Sequence, residues 1–243
     1  MSCYRGWPWT ATRAGYRPAC IHPRFATWEE SAPGATRVKV DDGLYSDYVP
    51  QPVELSDLAK IRTVFLDRDG VINEKVPEGK FICSPAELHV LPGAPQAIAR
   101  LNQAGLRTLV VSNQRGIAKG LYTAEDVEAI NRALQETLAM HGARLDAFFI
   151  CPHDKDECQC RKPLPGLFEK AVKAFPGVRA DESAMIGDSF VDIEFGRRLG
   201  MPTILIEGDP ALHKPDLVEA IRLADWRVSS LPEAAELLLG GRG

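Results

Sequence analysis

Residues 61–73 read IRTVFLDRDGVIN, and this stretch decides the fold. IRTVFL (61–66) is a short apolar run, closed at once by the polar loop Asp67-Arg68-Asp69-Gly70. A run of that length without polar alternation reads as a strand buried on both faces. Four more follow: RTLVVS (107–112), AFFI (147–150), SAMIG (183–187) and TILIE (203–207). Helical patterns separate them. One covers 94–104, with Ala94, Ala97, Ile98 and Leu101 on one face and Gly105 as its stop. Another starts at the cap Thr123 and runs to about His141, with Val127, Ile130, Leu134 and Leu138 inward. Further helices are expected at 166–174, 190–199, 216–223 and 232–239. Ser84-x-x-Glu87 and Ser230-x-x-Glu233 read as capping boxes.

Strands alternating with helices predict an α/β domain, a Rossmann-like parallel sheet with helices on both faces. Ligands of such sheets bind beyond the carboxyl ends of the strands. Polar motifs sit at those ends here: DRDG after the first strand, SNQRG after the second, CPHD after the third and GDS after the fourth.

Working outward, the chain of 243 residues and 26.7 kDa suits one sizeable domain with an appendage. Hydrophobic residues at 45% and charged residues at 26% exclude a wholly disordered or collagen-like chain. No apolar run approaches the roughly 18–20 residues that span a bilayer. A net charge of −4 leaves no footprint for nucleic acid. Residues 1–28 carry Arg5, Arg13, Arg17 and Arg24 and no acid, whereas the remainder holds 25 basic against 33 acidic residues. Prolines at 8, 18, 23, 33, 50 and 52 interrupt the start, so 1–58 is expected to be an irregular extension before a domain over 59–243. The arginine-rich start resembles a transit peptide in composition but has no apolar h-region. A start codon assigned too far upstream explains it equally well. Cys3, Cys20 and Cys83 show no ligand spacing, and Trp7, Trp9 and Trp28 no period.

Asp67 and Asp69 close the first strand two residues apart, so in extended chain they face one way. Paired carboxylates repel unless one is protonated or a cation sits between them. Asp188, in the GDS turn, can supply a third oxygen. A hard, oxygen-lined site with few protein ligands suits Mg²⁺, completed by waters and a substrate phosphate. The structural alternative is turn aspartates beside Gly70, a helix N-cap at Asp188, and Asp192 as a first-turn helix acid. Cys151, His153, Cys158 and Cys160 form C-x-H-x4-C-x-C, four soft ligands that suit a closed, structural Zn²⁺. The zinc would anchor the loop that continues into Arg161 and Lys162.

FLDRDGVIN, SNQRG with Ser112, CRKP with Lys162 and MIGDSFVDI with Asp188 resemble, in order, the four motifs of the haloacid dehalogenase superfamily. The resemblance covers about residues 61–207. It implies an aspartate-nucleophile phosphatase. Asp67 would attack phosphorus, and Asp69 would act as general acid and then base. Mg²⁺ would rest on Asp67, Asp188 and the main-chain carbonyl of Asp69. Ser112 would hold phosphate oxygens, and Lys162 would offset charge on the phosphoryl group and on Asp67. Asp192 would stand behind them. The zinc loop beside CRKP is similar to those of D-glycero-D-manno-heptose 1,7-bisphosphate phosphatases and of histidinol-phosphate phosphatases. SNQRGIAKGLYT and PLPGLF resemble the heptose type, whereas the short His153–Cys158 gap is closer to the histidinol type. Ser189 stands where heptose enzymes often have lysine.

No stretch is long enough for a cap domain, so the resemblance implies a capless fold with an open site. Loops 73–84, 114–121 and 151–162 would shape it, and Asn113, Arg115, Lys119 and Arg161 would contact substrate. The favoured substrate is a sugar bisphosphate. A cytoplasmic monomer is expected, with Mg²⁺ and Zn²⁺, and with no nucleic-acid or membrane partner. The rival from another class is a non-catalytic zinc-knuckle binding module on a phosphatase fold.

Overall fold

The computed structural model describes residues 53–240, apart from 78 and 214, and the backbone of three short strands before them. Those strands are β1 (Trp28–Glu30), β2 (Thr36–Lys39) and β3 (Tyr45–Tyr48), paired antiparallel in sequence order. The sequence around them showed no period because each is only three or four residues long, and Pro33 stands between the first two. The arginine-rich start, with Cys3, Cys20, Trp7 and Trp9, lies outside the described residues. The chain falls into two units, Met1–Pro50 and Gln51–Gly243. The second begins with a helical turn, α1 (Leu55–Leu58), whose Leu58 is already in the core.

The second unit is built on a sheet of six strands, all parallel: β4 (Thr63–Leu66), β5 (Arg107–Asn113), β6 (Ala147–Cys151), β7 (Ser183–Gly187), β8 (Thr203–Ile206) and β9 (Trp226–Val228). Their spatial order is β6-β5-β4-β7-β8-β9. Successive residues point to opposite layers, and both layers are apolar, which is why the strands lack polar alternation. Val64, Leu66, Val110, Ala184 and Ile186 pack with α2 (Ala94–Gln103), α3 (Ala124–Ala139) and α7 (Leu231–Gly240). Phe65, Leu109, Val111 and Met185 pack on the other side with α4 (Gly166–Ala174) and α5 (Phe190–Leu199). Next to α5, Leu205 and Ile193 meet α6 (Leu217–Leu223). Each fully buried side chain of this kind contributes about 1.5–3 kcal/mol.

The expected inward faces are in place: Ala94, Ala97, Ile98 and Leu101 of α2, and Val127, Ile130, Leu134 and Leu138 of α3. Thr123 Oγ1 accepts from the Asp126 N–H at 3.1 Å, as its capping role requires. Two other expected capping boxes are displaced by one residue. Glu87 accepts from the Cys83 N–H at 2.7 Å rather than from Ser84, and Glu233 accepts from the Ser229 N–H at 2.7 Å rather than from Ser230. Between β4 and β5 the described residues hold one 3₁₀ turn, Pro85–Glu87, and α2, with no cap domain.

Strand order reverses between β4 and β7. The chain steps one way through β5 and β6, then returns and steps the other way through β8 and β9. A crevice opens at such a switch point, outside the carboxyl ends of the two strands.

Candidate active site

The switch point sets the first residues beyond β4 and β7 side by side. These are Asp67 and Asp188. Asp67 is held by the sheet to its last atom, since its N–H donates to the Ile186 carbonyl at 3.0 Å. Gly70, at φ +93°, turns the loop against Asp188: a Cβ there would lie 2.1 Å from Asp188 Oδ2. Asp188 is not the helix cap. That position is Ser189, whose N–H and hydroxyl both donate to Asp192 Oδ2 in the first turn of α5.

Lys162 enters from the loop after β6. Its Nζ donates to Asp67 Oδ1 at 2.8 Å, to Asp192 Oδ1 at 2.5 Å and to the Val111 carbonyl at 2.6 Å. The Lys162 and Asp192 side chains are each 1% exposed, so this ion pair has been taken wholly out of water. Gly187 allows it, because a Cβ there would lie 2.1 Å from Asp192 Cβ. Asp192 is therefore more than a first-turn helix acid. Carboxylate oxygens of Asp67, Asp188 and Asp192 lie within 4.8 Å of one another. Burial pushes the Asp67 carboxyl up to about 7, with Lys162 opposing and Asp192, Asp188 and Asp69 adding. Burial alone would lower the Lys162 ammonium, but Asp192 and then Asp67 outweigh it and hold the group above the ordinary lysine range.

Asp67 and Asp69 both line the cavity described below, but their carboxylates have different partners. The strand ends at Leu66, and backbone bonds from Ile72 N to the Arg68 carbonyl (2.9 Å) and from Gly70 N to the Asn73 carbonyl (2.7 Å) curl the chain. The Asp69 carboxylate is thus not part of the trio. It accepts from Arg68 Nη2 at 3.1 Å, Asn73 Nδ2 at 2.9 Å and Gln114 Nε2 at 2.8 Å. Gln114 also donates to Ser112 Oγ at 2.9 Å and accepts from the Tyr122 hydroxyl at 2.7 Å. Arg68 is buried and adds a bond to Asn131 Oδ1 at 3.2 Å. A buried polar web thus fixes Asp69 and Ser112 together. None of Arg68, Asn73, Gln114 and Tyr122 was marked by a spacing.

Cys151 ends β6, and Cys158 and Cys160 return to it with His153. The three sulfurs stand 3.3–3.5 Å apart, and His153 Nδ1 lies 3.7 Å from Cys151 Sγ and 3.4 Å from Cys160 Sγ. A disulfide would need about 2.05 Å. A tetrahedron with metal–ligand arms of about 2.1–2.3 Å has edges of roughly 3.4–3.8 Å, so the four donors match a four-coordinate metal nest. The nest leads directly into the site through Arg161 and Lys162. Arg161 Nη1 donates to the His153 carbonyl at 3.3 Å. Asn113, expected to contact substrate, lines the cavity described below and also splints the Lys162 main chain: its Oδ1 accepts from Lys162 N at 3.0 Å and its Nδ2 donates to Lys162 O at 3.1 Å.

A cavity of about 370 Å³ opens over Asp67, lined by Ser112, Lys162, Arg115, Arg161 and Lys80. Lys119 lines neither it nor its neighbour. That neighbour, of about 430 Å³, shares Lys75, Asp188, Ser189 and His213 with it and has an apolar floor of Val71, Leu91, Ile206 and Leu217. Lys75 was not anticipated. Its Nζ donates to Asp188 Oδ2 at 2.5 Å. No helix of the described residues is long and apolar enough to cross a membrane.

Comparison with known proteins agrees with this geometry. The profile of the haloacid dehalogenase-like hydrolases matches residues 54–200. The D-glycero-beta-D-manno-heptose-1,7-bisphosphate 7-phosphatase of Bordetella bronchiseptica is 36% identical over 183 residues, which is 74% of this chain and 98% of that one. The D-glycero-alpha-D-manno-heptose-1,7-bisphosphate 7-phosphatase of Mycobacterium bovis is 39% identical over 137 residues, 56% of this chain and 72% of that one. The crystal structure of D,D-heptose 1,7-bisphosphate phosphatase from B. bronchiseptica, complexed with magnesium and phosphate, superposes with a TM-score of 0.65 at 32% identity, over 74% of this chain and 99% of that one. The chain belongs to the haloacid dehalogenase-like hydrolases, and it is a phosphatase among them.

Proposed function

We propose that this enzyme removes the 7-phosphate of a D-glycero-D-manno-heptose 1,7-bisphosphate, using Mg²⁺ at the sheet edge and a structural Zn²⁺ in the nest. The observation that carries the chemistry is the Lys162 ammonium held between Asp67 and Asp192, with Asp188 alongside. The substrate rests on the relatives that carry this activity, and on Arg115 and Arg161 lining the cavity over Asp67. The relatives differ in anomer, alpha in one and beta in another, so either anomer is a candidate.

Asp67 attacks phosphorus in line, the bond from phosphorus to the sugar oxygen breaks, and an aspartyl-phosphate forms. Asp69 delivers a proton to the departing oxygen, then takes one from the water that releases phosphate. Its web of donors positions it for both steps, within the same network that fixes Ser112. Ser112 holds a phosphate oxygen. Lys162 offsets negative charge on Asp67 and on the phosphoryl group. Asp67, Asp188 and the Asp69 carbonyl would hold Mg²⁺, three hard oxygen donors at a crowded acidic edge, as that ion prefers. When bound, the ion supplies charge neutralisation between carboxylate and phosphate. Cys151, His153, Cys158 and Cys160 hold Zn²⁺ with no position left open, so it orders the loop rather than reacting. Arg161 sits on that loop and takes the distal phosphate, with Arg115 also lining the cavity.

The enzyme is further proposed to work as a cytoplasmic monomer. The described cysteines are free thiols, three of them in the nest, and a metal site rather than disulfides favours a reducing compartment. The large hydrophobic residues exposed among the described ones, Leu55, Leu121, Met140 and Val218, are few. The test is phosphate release with Mg²⁺ from both heptose bisphosphate anomers, histidinol phosphate and several sugar monophosphates, by wild type and Asp67→Asn. Selective turnover of a heptose bisphosphate, lost in the variant, is expected. Preference for histidinol phosphate would overturn the substrate, and no turnover by folded, zinc-loaded protein would favour a binding module.

A further inference from the structure

The trio of carboxylates is served by two ammonium groups. Lys162 serves Asp67 and Asp192, and Lys75 serves Asp188. The second pairing joins residues 113 apart in sequence. Its side chains are 19% and 8% exposed, so the contact is no surface ion pair.

The oxygen that Lys75 occupies is Oδ2 of Asp188, which also faces Gly70. On the metal assignment proposed above, Asp188 must offer an oxygen to a divalent cation. An ammonium at 2.5 Å on one oxygen and a doubly charged ion on the other oppose each other across that carboxylate, which weakens the hold on the ion. Lys75 has a place to go. It lines the cavity over Asp67 together with Ser112 and Arg161, where a substrate phosphate would sit. Its four-carbon stem gives the ammonium the reach to exchange partners.

We propose that Lys75 is a positioning residue that couples cation and phosphate binding: its ammonium opposes a cation at Asp188 until a phosphate in the cavity draws it away. The inference rests on the reading of Asp188 as a metal ligand. By linkage, cation and phosphate then each tighten the other's binding.

The test is Mn²⁺ titration of the zinc-loaded full chain, read by loss of the free-ion electron paramagnetic resonance signal, with and without inorganic phosphate. Without phosphate, Lys75→Met is expected to bind Mn²⁺ about fivefold or more tightly than wild type, and Lys75→Arg to stay near wild type. Phosphate should tighten Mn²⁺ binding clearly in wild type and much less in Lys75→Met. Lys75→Gln repeats the measurement should the Met variant be unstable. Equal or weaker Mn²⁺ binding in both neutral variants would overturn the inference, and so would undiminished phosphate coupling. Asp188→Asn separates the two levels. If it retains Mn²⁺ binding, the metal assignment itself fails; if it loses binding while the Lys75 variants behave as wild type, only the role of Lys75 fails.

Discussion

The cysteine–histidine nest and the carboxylate–lysine cluster both gather charged or polarisable ligands at strand ends, but over different lengths of chain. The nest draws its four donors from Cys151 to Cys160. The cluster draws Asp67 from β4, Asp188 and Asp192 from the end of β7 and the start of α5, and Lys162 from beyond β6. A local nest needs a short loop and its metal. A dispersed cluster needs the whole sheet in register and both apolar layers packed. The two meet at Cys160-Arg161-Lys162, so the local element sets the position of one member of the dispersed one. Asn113 braces the same point from β5 through two hydrogen bonds.

That contrast can be broken by separate substitutions. Within the dispersed cluster, Asp192→Asn leaves Lys162 with Asp67 and the Val111 carbonyl. Its kcat is expected to fall about 100-fold or more, since a preorganised charge is no longer held in place. Unchanged kcat in steady-state assays would reduce Asp192 to a helix-terminal residue. Within the local nest, Cys158→Ala/Cys160→Ala, shown zinc-free by elemental analysis, is expected to lose about 10–100-fold in kcat while its far-ultraviolet circular dichroism stays native. Full turnover would uncouple the nest from Lys162. At the brace, Asn113→Ala removes two neutral hydrogen bonds of about 0.5–1.5 kcal/mol each. About a tenfold loss in kcat with little change in KM is expected, and a loss confined to KM would return Asn113 to substrate contact. Arg161→Ala should act least on kcat and raise KM several-fold for a bisphosphate but not for a monophosphate. Equal effects on the two substrates would remove the distal-phosphate role.

The same contrast explains what was legible in the sequence. The short apolar runs of β4, β5, β7 and β8 are strands covered on both faces, a condition that writes itself into consecutive residues, and β6 at the edge is only half-buried. β9 was missed: Trp226–Val228 has three residues, one of them the exposed Arg227. The nest was visible in full, since its ligands are near neighbours. Asp67 and Asp188 were found from their strand-end places and again by resemblance to ordered motifs, and Lys162 by the resemblance. Asp192 shows why spacing is insufficient. Ser189-x-x-Asp192 is a capping pattern and the cap forms, but the other carboxylate oxygen serves Lys162, thirty residues away. Lys75 left no trace at all, because its partner is fixed by the close approach of the β4 and β7 loops. Asp67 and Asp69 both line the cavity, but the curl after Leu66 gives the Asp69 carboxylate its own donors, which strand geometry does not foretell.

Lys162 carries three ammonium protons, and three acceptors take them: Asp67, Asp192 and the Val111 carbonyl. Its direction is therefore set before any substrate arrives. Rotation about the terminal C–N bond would only exchange equivalent protons among the same three acceptors. Solvent reaches them poorly at 1% side-chain exposure. Such protons should exchange slowly enough to give a resolved ¹H–¹⁵N resonance for Nζ, at a pH where surface lysines are invisible. The enzyme would then carry its own spectroscopic reporter at the centre of the site, sensitive to each change in the partners of a single nitrogen.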